Sequence, residues 1–447
     1  MNYVDVREAI SKGDLITADK IFNDLVSQDP NNTQLVMGYI EYFMLRNFGK
    51  GEMLQYYRGL NLCRRLVKKH PDLHSAKINL ARYYIFMGCN KEALRLIDEI
   101  PDSVANYYII QCKAWACYQR GQYNETVMMW DFIAQQLFPQ SIADKSAEIE
   151  LIKNHEKFIE KNAILHFACC RNEIDKLPFF LEHYRSLGVD AFYIVDNGST
   201  DGSLQYLLSQ KDVQVFSTNE SYKDSFFGVS WINTLVSHYA YDNWVIHTDI
   251  DELLIYPNCE QMDLHGYTER LEANKQNIVN GFMLDMYPKS MAQTKVDPNK
   301  PLQQQHSYFM NNYIFMGTHN YPYRTVKGGL FSVLLDGKCI ALEKTPIFKA
   351  NQSVKLLSSS HMVTPPETRS DGESTCLLLH FKLVNNPIER FEAEIARNEH
   401  ADNTSNYRAY NRAFSALDEN FDLTSLPCTT KYENSRQLST MGLINPF

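Results

Sequence analysis

The sequence predicts two architectures in one chain: an all-α domain of paired helices over residues 1–155, and an α/β domain over residues 156–447. Three observations carry that prediction. In the first third, apolar residues recur at three and four positions and are interrupted by proline breaks at intervals of roughly 30 to 40 residues, the pattern of short amphipathic helices. From Ala163 the period changes to short continuous apolar runs rich in branched and aromatic residues, which read as buried strands. Those runs alternate with stretches of helical spacing, and strand, helix, strand in series means a parallel sheet with crossover helices.

The chain of 447 residues exceeds the size at which single cores usually stop growing, so two domains are expected. With 44% hydrophobic and 22% charged residues it can fill a core, and no run reaches the roughly 18 apolar residues of a membrane span. Met1-Asn-Tyr-Val-Asp-Val-Arg-Glu lacks the basic and apolar segments of a secretory signal, so a cytoplasmic protein is expected, at most peripheral to the inner membrane. A net charge of -9 argues against broad binding to nucleic acid or anionic lipid. Ten cysteines without a Cys-x-x-Cys pair read as buried thiols in a reducing compartment.

Within the helical third, Asp29-Pro30-Asn31-Asn32, His70-Pro71-Asp72 and Ile100-Pro101-Asp102 are the breaks. Between and after them come Ala76-Lys-Ile-Asn-Leu-Ala-Arg-Tyr-Tyr-Ile-Phe-Met-Gly88, Lys91-Glu-Ala-Leu-Arg-Leu-Ile97 and Ala114-Trp-Ala-Cys-Tyr-Gln-Arg-Gly-Gln-Tyr123. The period is that of stacked helix pairs. These segments resemble tetratricopeptide repeats, stretched by the Phe48-Gly-Lys-Gly-Glu insertion, and the resemblance implies a surface for a protein partner or an extended acceptor.

In the second region, Ala163-Ile-Leu-His-Phe-Ala-Cys-Cys170, Ala191-Phe-Tyr-Ile-Val195, Val213-Gln-Val-Phe216 and Trp244-Val-Ile-His247 are the strands, and Leu177 to Gly188 is a helix with a glycine stop. Ligands of such sheets bind beyond the carboxyl ends of the strands. Past those ends the chain turns polar: Arg171-Asn-Glu173, then Asp196-Asn-Gly-Ser-Thr-Asp-Gly-Ser203, then Asp249-Ile-Asp-Glu252. Asp196 can accept hydrogen bonds from ribose or a base, while Ser199, Thr200 and Asp201 serve equally as a helix cap. On an extended backbone Asp249 and Asp251 leave from the same side, and such oxygen pairs suit Mg or Mn carrying a diphosphate.

Cys169-Cys-Arg-Asn-Glu173, Phe180-Leu-Glu-His-Tyr-Arg-Ser-Leu-Gly-Val189, Tyr193-Ile-Val-Asp-Asn-Gly-Ser-Thr-Asp-Gly202 and His247-Thr-Asp-Ile-Asp-Glu-Leu-Leu254 together resemble glycosyltransferase family 2, in its bacterial branch related to family 92. Met283-Leu-Asp-Met-Tyr-Pro288, Glu343-Lys-Thr-Pro-Ile347, Ser360-His361 and Leu378-Leu-His-Phe-Lys382 extend the resemblance to about residue 440. It implies a GT-A fold with a Rossmann-like mixed sheet, a nucleotide-sugar donor with UDP the expected carrier, and a divalent metal, Mn or Mg. The chain departs from the pattern at Lys327-Gly-Gly-Leu-Phe-Ser-Val333, where arginines are expected after the paired glycines; Arg324, Lys327, Lys344 and Lys382 are substitutes for that diphosphate clamp.

The metal ligands so implied are Asp249, Asp251 and His380, ahead of His361 and His247. Around the donor the candidates are Arg171, Glu173, Asp196, Asn197, Asp201, Lys344 and Lys382, with Lys223 able to approach a phosphate. If the reaction inverts the anomeric carbon, a carboxylate must deprotonate the acceptor hydroxyl; Asp285, at the end of Val279-Asn-Gly-Phe-Met-Leu284, is the candidate and Glu252, Glu343 and Asp371 are rivals. Tyr287 is placed to line the sugar subsite. The implied role is transfer of a sugar to a glycan or lipid-linked glycan in bacterial surface polysaccharide biosynthesis. The alternative is a scaffold whose repeats bind partners and whose transferase-like domain is inactive. Helices after Pro387 and over residues 432–438 are expected to cover the second domain.

Overall fold

The computed structural model describes residues 147–445 apart from 318–323, 336–341, 352–353, 358–360 and 365–375; before that it describes 14–46 except 30, 53–101 except 88, and scattered positions between 5 and 9 and between 109 and 132. The insertion after Phe48, most of residues 114–123, Asp102, Ser360 and Asp371 lie outside the described residues.

Among the described residues of the first third, the helices with defined bounds are α1 (Leu15–Gln28), α2 (Thr33–Arg46), α3 (Met53–Lys69), α4 (His74–Phe86) and α5 (Asn90–Asp98). Polar side chains start the first two. Asp14 Oδ1 accepts the Thr17 N–H at 3.0 Å and Asn32 Oδ1 the Leu35 N–H at 3.1 Å, each satisfying an otherwise orphaned donor of a first turn. Successive helices pack side by side around Ile40, Leu60, Cys63, Ala76, Ala81 and Ala93, whose small members let backbones approach. Tyr83 crosses that core and donates its hydroxyl to the Ile40 carbonyl at 3.0 Å.

A nine-stranded sheet organises the rest. Its strands are β1 (Glu150–Lys153), β2 (Ile164–Cys170), β3 (Ala191–Asp196), β4 (Val213–Ser217), β5 (Trp244–His247), β6 (Glu252–Ile255), β7 (Ile278–Asp285), β8 (Glu343–Lys349) and β9 (Cys376–His380), in the order β1-β4-β3-β2-β5-β8-β7-β9-β6. β4, β3, β2 and β5 are mutually parallel, as are β7 and β9; β1, β8 and β6 run against their neighbours. The sheet is therefore mixed. It also begins earlier than the helical reading of residues 1–155 expects, because Glu150–Lys153 pairs antiparallel with β4.

Alternation along the strands builds two cores. Ile164, Phe192, Ile194, Val213 and Val215 face Phe180 and Tyr184 of α6 (Leu177–Ser186) and Leu207 of α7 (Ser203–Ser209). Leu165, Phe167, Tyr193, Val195 and Val245 face Trp231, Ile232 and Leu235 of α8 (Val229–Tyr239). Helices thus cover both faces of the parallel half. A third cluster joins Phe331 and Leu383 to Phe391 of α9 (Pro387–Arg397) and to Tyr410 and Phe414 of α10 (Ala401–Ser415). Beyond it, Thr429–Lys431 pairs with Tyr308–Met310 as a strand, and the terminal helix is Ser435–Thr440, later than expected from residues 432–438.

Candidate functional site

Strand directions bring the polar segments to one edge. β2, β3, β5, β7 and β9 all point the same way, so their carboxyl ends present Arg171, Asn197, Asp249, Asp285 and His380 together; β8 and β6 run oppositely and start there with Glu343, Lys344 and Glu252. From β2 the chain proceeds outwards through β3 and β4 and then returns to place β5 on the other side of β2. That reversal is where open α/β sheets bind ligands. A cavity of about 480 Å³ opens at this edge, and Arg171, Asp249, Asp251, Asp285, Lys344 and His380 are among its walls.

Asp249 and Asp251 lie in the turn between β5 and β6 rather than on extended backbone, and the turn sends them to different partners. Lys344 Nζ stands 3.2 Å from Asp249 Oδ2 and 2.8 Å from Glu252 Oε1; Lys382 Nζ is 3.6 Å from Asp251 Oδ2. Glu252 Oε2 accepts the Asp249 N–H at 3.1 Å and so fixes the turn. Burial opposes ionisation of both aspartates, but the ammonium of Lys344 at Asp249 and that of Lys382 at Asp251 outweigh it and hold the two carboxyls below the usual range. Burial also works against a charged Lys344, and Asp249 and Glu252 overcome it, so the ammonium stays protonated. Glu252, buried beside Asp249, is pushed up to about 7.

His380 and Asp285 are register partners on parallel strands. His380 Nδ1 lies 2.9 Å from Asp285 Oδ1, and Nε2 lies 3.7 Å from Asp251 Oδ2. A carboxylate behind an imidazole is how ligating histidines are commonly oriented. Asp285, expected at the acceptor, is thus committed to His380. Its Oδ2 is buried without a hydrogen-bond partner against Gly329, where a Cβ would come within 2.6 Å of it. The carboxyl is 2% exposed, although Asp285 is among the residues lining the cavity.

The donor-side candidates divide. Arg171, Glu173, Asn197, Lys344 and Lys382 line the cavity. Asp196 and Asp201 are not among the lining residues: Asp196 Oδ2 accepts the N–H groups of Gly198 and Ser199 at 3.1 and 3.0 Å, and Asp201 accepts those of Ser203 at 2.9 Å and Ile174 at 3.1 Å. Both carboxylates tie the loop; the N-cap of the helix that follows is Gly202, with no side-chain cap, so Asp201 braces the loop just before it. Gly198, at φ +70°, makes that turn and leaves room for the Arg171 guanidinium above it. Glu173 pairs with Lys176 at 2.6 Å and with Arg390.

The remaining candidates separate in the same way. His361 lines the cavity with Nδ1 2.7 Å from the Glu343 carbonyl, and burial pushes it down to about 4. His247 is turned to the Phe167 carbonyl at 2.9 Å. Lys223 contacts Asn403 at 3.4 Å on the exposed side, and Tyr287 bonds Thr429 at 2.9 Å; neither is among the lining residues.

Comparison with known proteins adds little. No family model matches the sequence, and no curated protein does. Among solved structures, a mutant of the Thermobaculum terrenum O-GlcNAc transferase is similar over 45% of this chain, at 14% identity and a TM-score of 0.29. The match spans 37% of that protein, and a likeness of this size fixes neither fold nor activity.

Sequence reasoning missed one wall of the cavity. Arg390, Glu394 and Arg397 from α9, with Tyr407 and Tyr410 from α10, line it, as does Tyr222. The signal present was the spacing Arg390, Glu394, Arg397, a single helical stripe, but a charged stripe ordinarily faces solvent. As to a metal, no three His, Cys, Asp or Glu side chains among the described residues stand close enough to form a ready-made cage. The His380–Asp251 pair, backed by Asp285, has the donor chemistry and orientation of two ligands, and Asp249 is the open carboxylate beside them, with 42% of its side chain exposed.

Proposed function

We propose that the chain is a glycosyltransferase of GT-A type, moving a sugar from a nucleoside diphosphate to a glycan or lipid-linked glycan acceptor. The observation that carries this reading is the meeting, at the reversal point of one sheet edge, of the Asp249–Asp251 turn, the Asp285-backed His380 and the ammoniums of buried Lys344 and half-buried Lys382. The motif resemblance adds the nucleotide-sugar donor, with UDP the expected carrier, the inverting course and a place in bacterial surface polysaccharide synthesis. In this reading residues 1–155 are a repeat module for a partner or acceptor, the protein acts in the cytoplasm, and the catalytic domain takes in β1.

Asp249, Asp251 and His380 would hold a divalent ion, Mn or Mg, which when bound would take up charge on the leaving diphosphate. Lys344 and Lys382 face the same charge without needing to move a proton, because both stay protonated beside the aspartates. Asp285 fixes the ring of His380. The acceptor's proton then falls to Glu343: it lines the cavity, it is more open than Asp285 or Glu252, and burial raises its pKa towards the working range of a base.

A thermal-shift screen with UDP, GDP and CMP tests the reading, since a ligand that binds the folded state raises Tm. A shift with one nucleoside diphosphate, lost in Asp251→Ala, is expected. No shift with any of them would favour the scaffold alternative.

A further inference from the structure

Helix α9 turns its charged stripe inward. Arg390, Glu394 and Arg397 sit at i, i+4 and i+7, and their side chains are only 21%, 16% and 18% exposed. Long charged side chains are rarely so enclosed unless they are paired. Their partners lie on the loops at the ends of β2 and β3. Arg390 pairs with Glu173, which Lys176 also holds, so this contact anchors the helix to the loop after β2. Arg397 NH2 donates to Asn197 Oδ1 at 2.7 Å, its NH1 stands 3.5 Å from Glu394, and the guanidinium lies 5.6 Å from the centre of the Tyr222 ring.

Asn197 receives a second guanidinium. Arg171 NH1 donates to its backbone carbonyl. Two arginines from distant parts of the chain therefore converge on one neutral residue in the cavity wall, beside the point where the sheet order reverses. The Asn197 amide is in turn fixed by donating to the carbonyls of Thr218 and Glu220 at 3.3 and 3.0 Å. A guanidinium carries five N–H groups in a planar fork suited to phosphate oxygens. The contacts to Asn197 and Glu394 engage one nitrogen each on the terminal pair of Arg397.

We propose that Arg397, together with Arg171, is the diphosphate cradle of the donor site, so that helix α9 supplies the arginine missing after Gly328-Gly329. Lys344 and Lys382 line the same cavity, so a diphosphate held by the two arginines also shares it with their ammonium groups. Arg390 is a positioning residue in this arrangement, holding the helix through Glu173. The proposal rests on the nucleotide-sugar reading of the site.

Isothermal titration separates the two. The wild-type protein is titrated with UDP, GDP and CDP, and then with inorganic pyrophosphate and with the nucleoside of whichever diphosphate binds. Arg397→Gln is expected to weaken both the nucleoside diphosphate and pyrophosphate by about tenfold or more, as loss of a charge-assisted hydrogen bond implies, while leaving the nucleoside unchanged. Arg412→Gln, the same charge change at an exposed position of α10, is expected to leave all three unchanged. Unaltered diphosphate affinity in Arg397→Gln overturns the cradle while the transferase reading stands. An equal loss of nucleoside and diphosphate also overturns it, since that marks a loosened helix. If the wild type binds no nucleoside diphosphate, the transferase reading itself falls.

Discussion

His380 and Asp285 face each other across two parallel strands with Nδ1 and Oδ1 2.9 Å apart, and this leaves the imidazole Nε2 aimed at Asp251. The contact is buried and set by strand register, so it does not depend on a mobile loop. Asp285→Asn keeps the size of the side chain but removes the charge that orients the ring. Transfer should fall by roughly 10- to 100-fold, the usual cost of losing such a support. Steady-state kinetics measure it, and Tm should change far less than kcat/KM.

The glycine beside this pair is equally constrained. Gly329 has φ +76°, and a Cβ there would meet Asp285 Oδ2 at 2.6 Å and the Tyr313 hydroxyl at 3.3 Å. Gly329→Ala should cost about 1–3 kcal/mol from backbone strain and crowding. It should also reduce activity by pushing Asp285 off His380. Chemical denaturation and a transfer assay on the same preparation check both parts.

Much of this arrangement is legible in the sequence. The change from helical spacing to short apolar runs at Ala163 locates the sheet, because buried strands of a parallel sheet have no polar face to alternate. The polar segments at strand ends stand out for the same reason, and Asp249, Asp251 and His380 do approach one cavity. β1 escapes because Glu150-Leu-Ile-Lys153 is short, flanked by charge and lies at the sheet edge, where little burial marks it. Asp196 and Asp201 look in sequence like ligand contacts, yet Asp196 Oδ2 and both oxygens of Asp201 accept neighbouring N–H groups, and only backbone geometry reveals that. The stripe on α9 is invisible as a site: periodicity tells which residues share a face, not whether that face meets water or a cavity.

Glu343 should control the acid limb of the rate profile. Burial raises its pKa above the usual carboxylate value, so the reactive anion appears only as pH rises through that higher value. Transfer should therefore increase with pH over that window, and Glu343→Gln should lower kcat by about 10²- to 10⁴-fold and flatten the limb. A pH series of kcat for the two proteins checks it. An unchanged profile would remove Glu343 from the chemistry.

Two buried histidines should make the fold acid-sensitive. His306 is held down to about 4 and His166 well below its ordinary value, both by burial, and Nδ1 of each is buried without a hydrogen-bond partner. An unfolded imidazole takes its proton near 6.5. Below that pH the unfolded chain binds more protons than the folded one, so stability is full above about 6.5 and is lost as pH falls towards 4. His306 alone accounts for up to about 3 kcal/mol of that loss. Urea midpoints at pH 7.5 and 5.5 should differ in this direction, and less so in His306→Gln.

Turnover of a nucleotide-sugar panel tests the central claim most directly. With Mn or Mg supplied, wild-type protein should release nucleoside diphosphate from one donor sugar, and Asp251→Ala should abolish the release while remaining folded. Release that persists undiminished in Asp251→Ala, or no release from any donor by a wild-type protein shown to be folded, would contradict it.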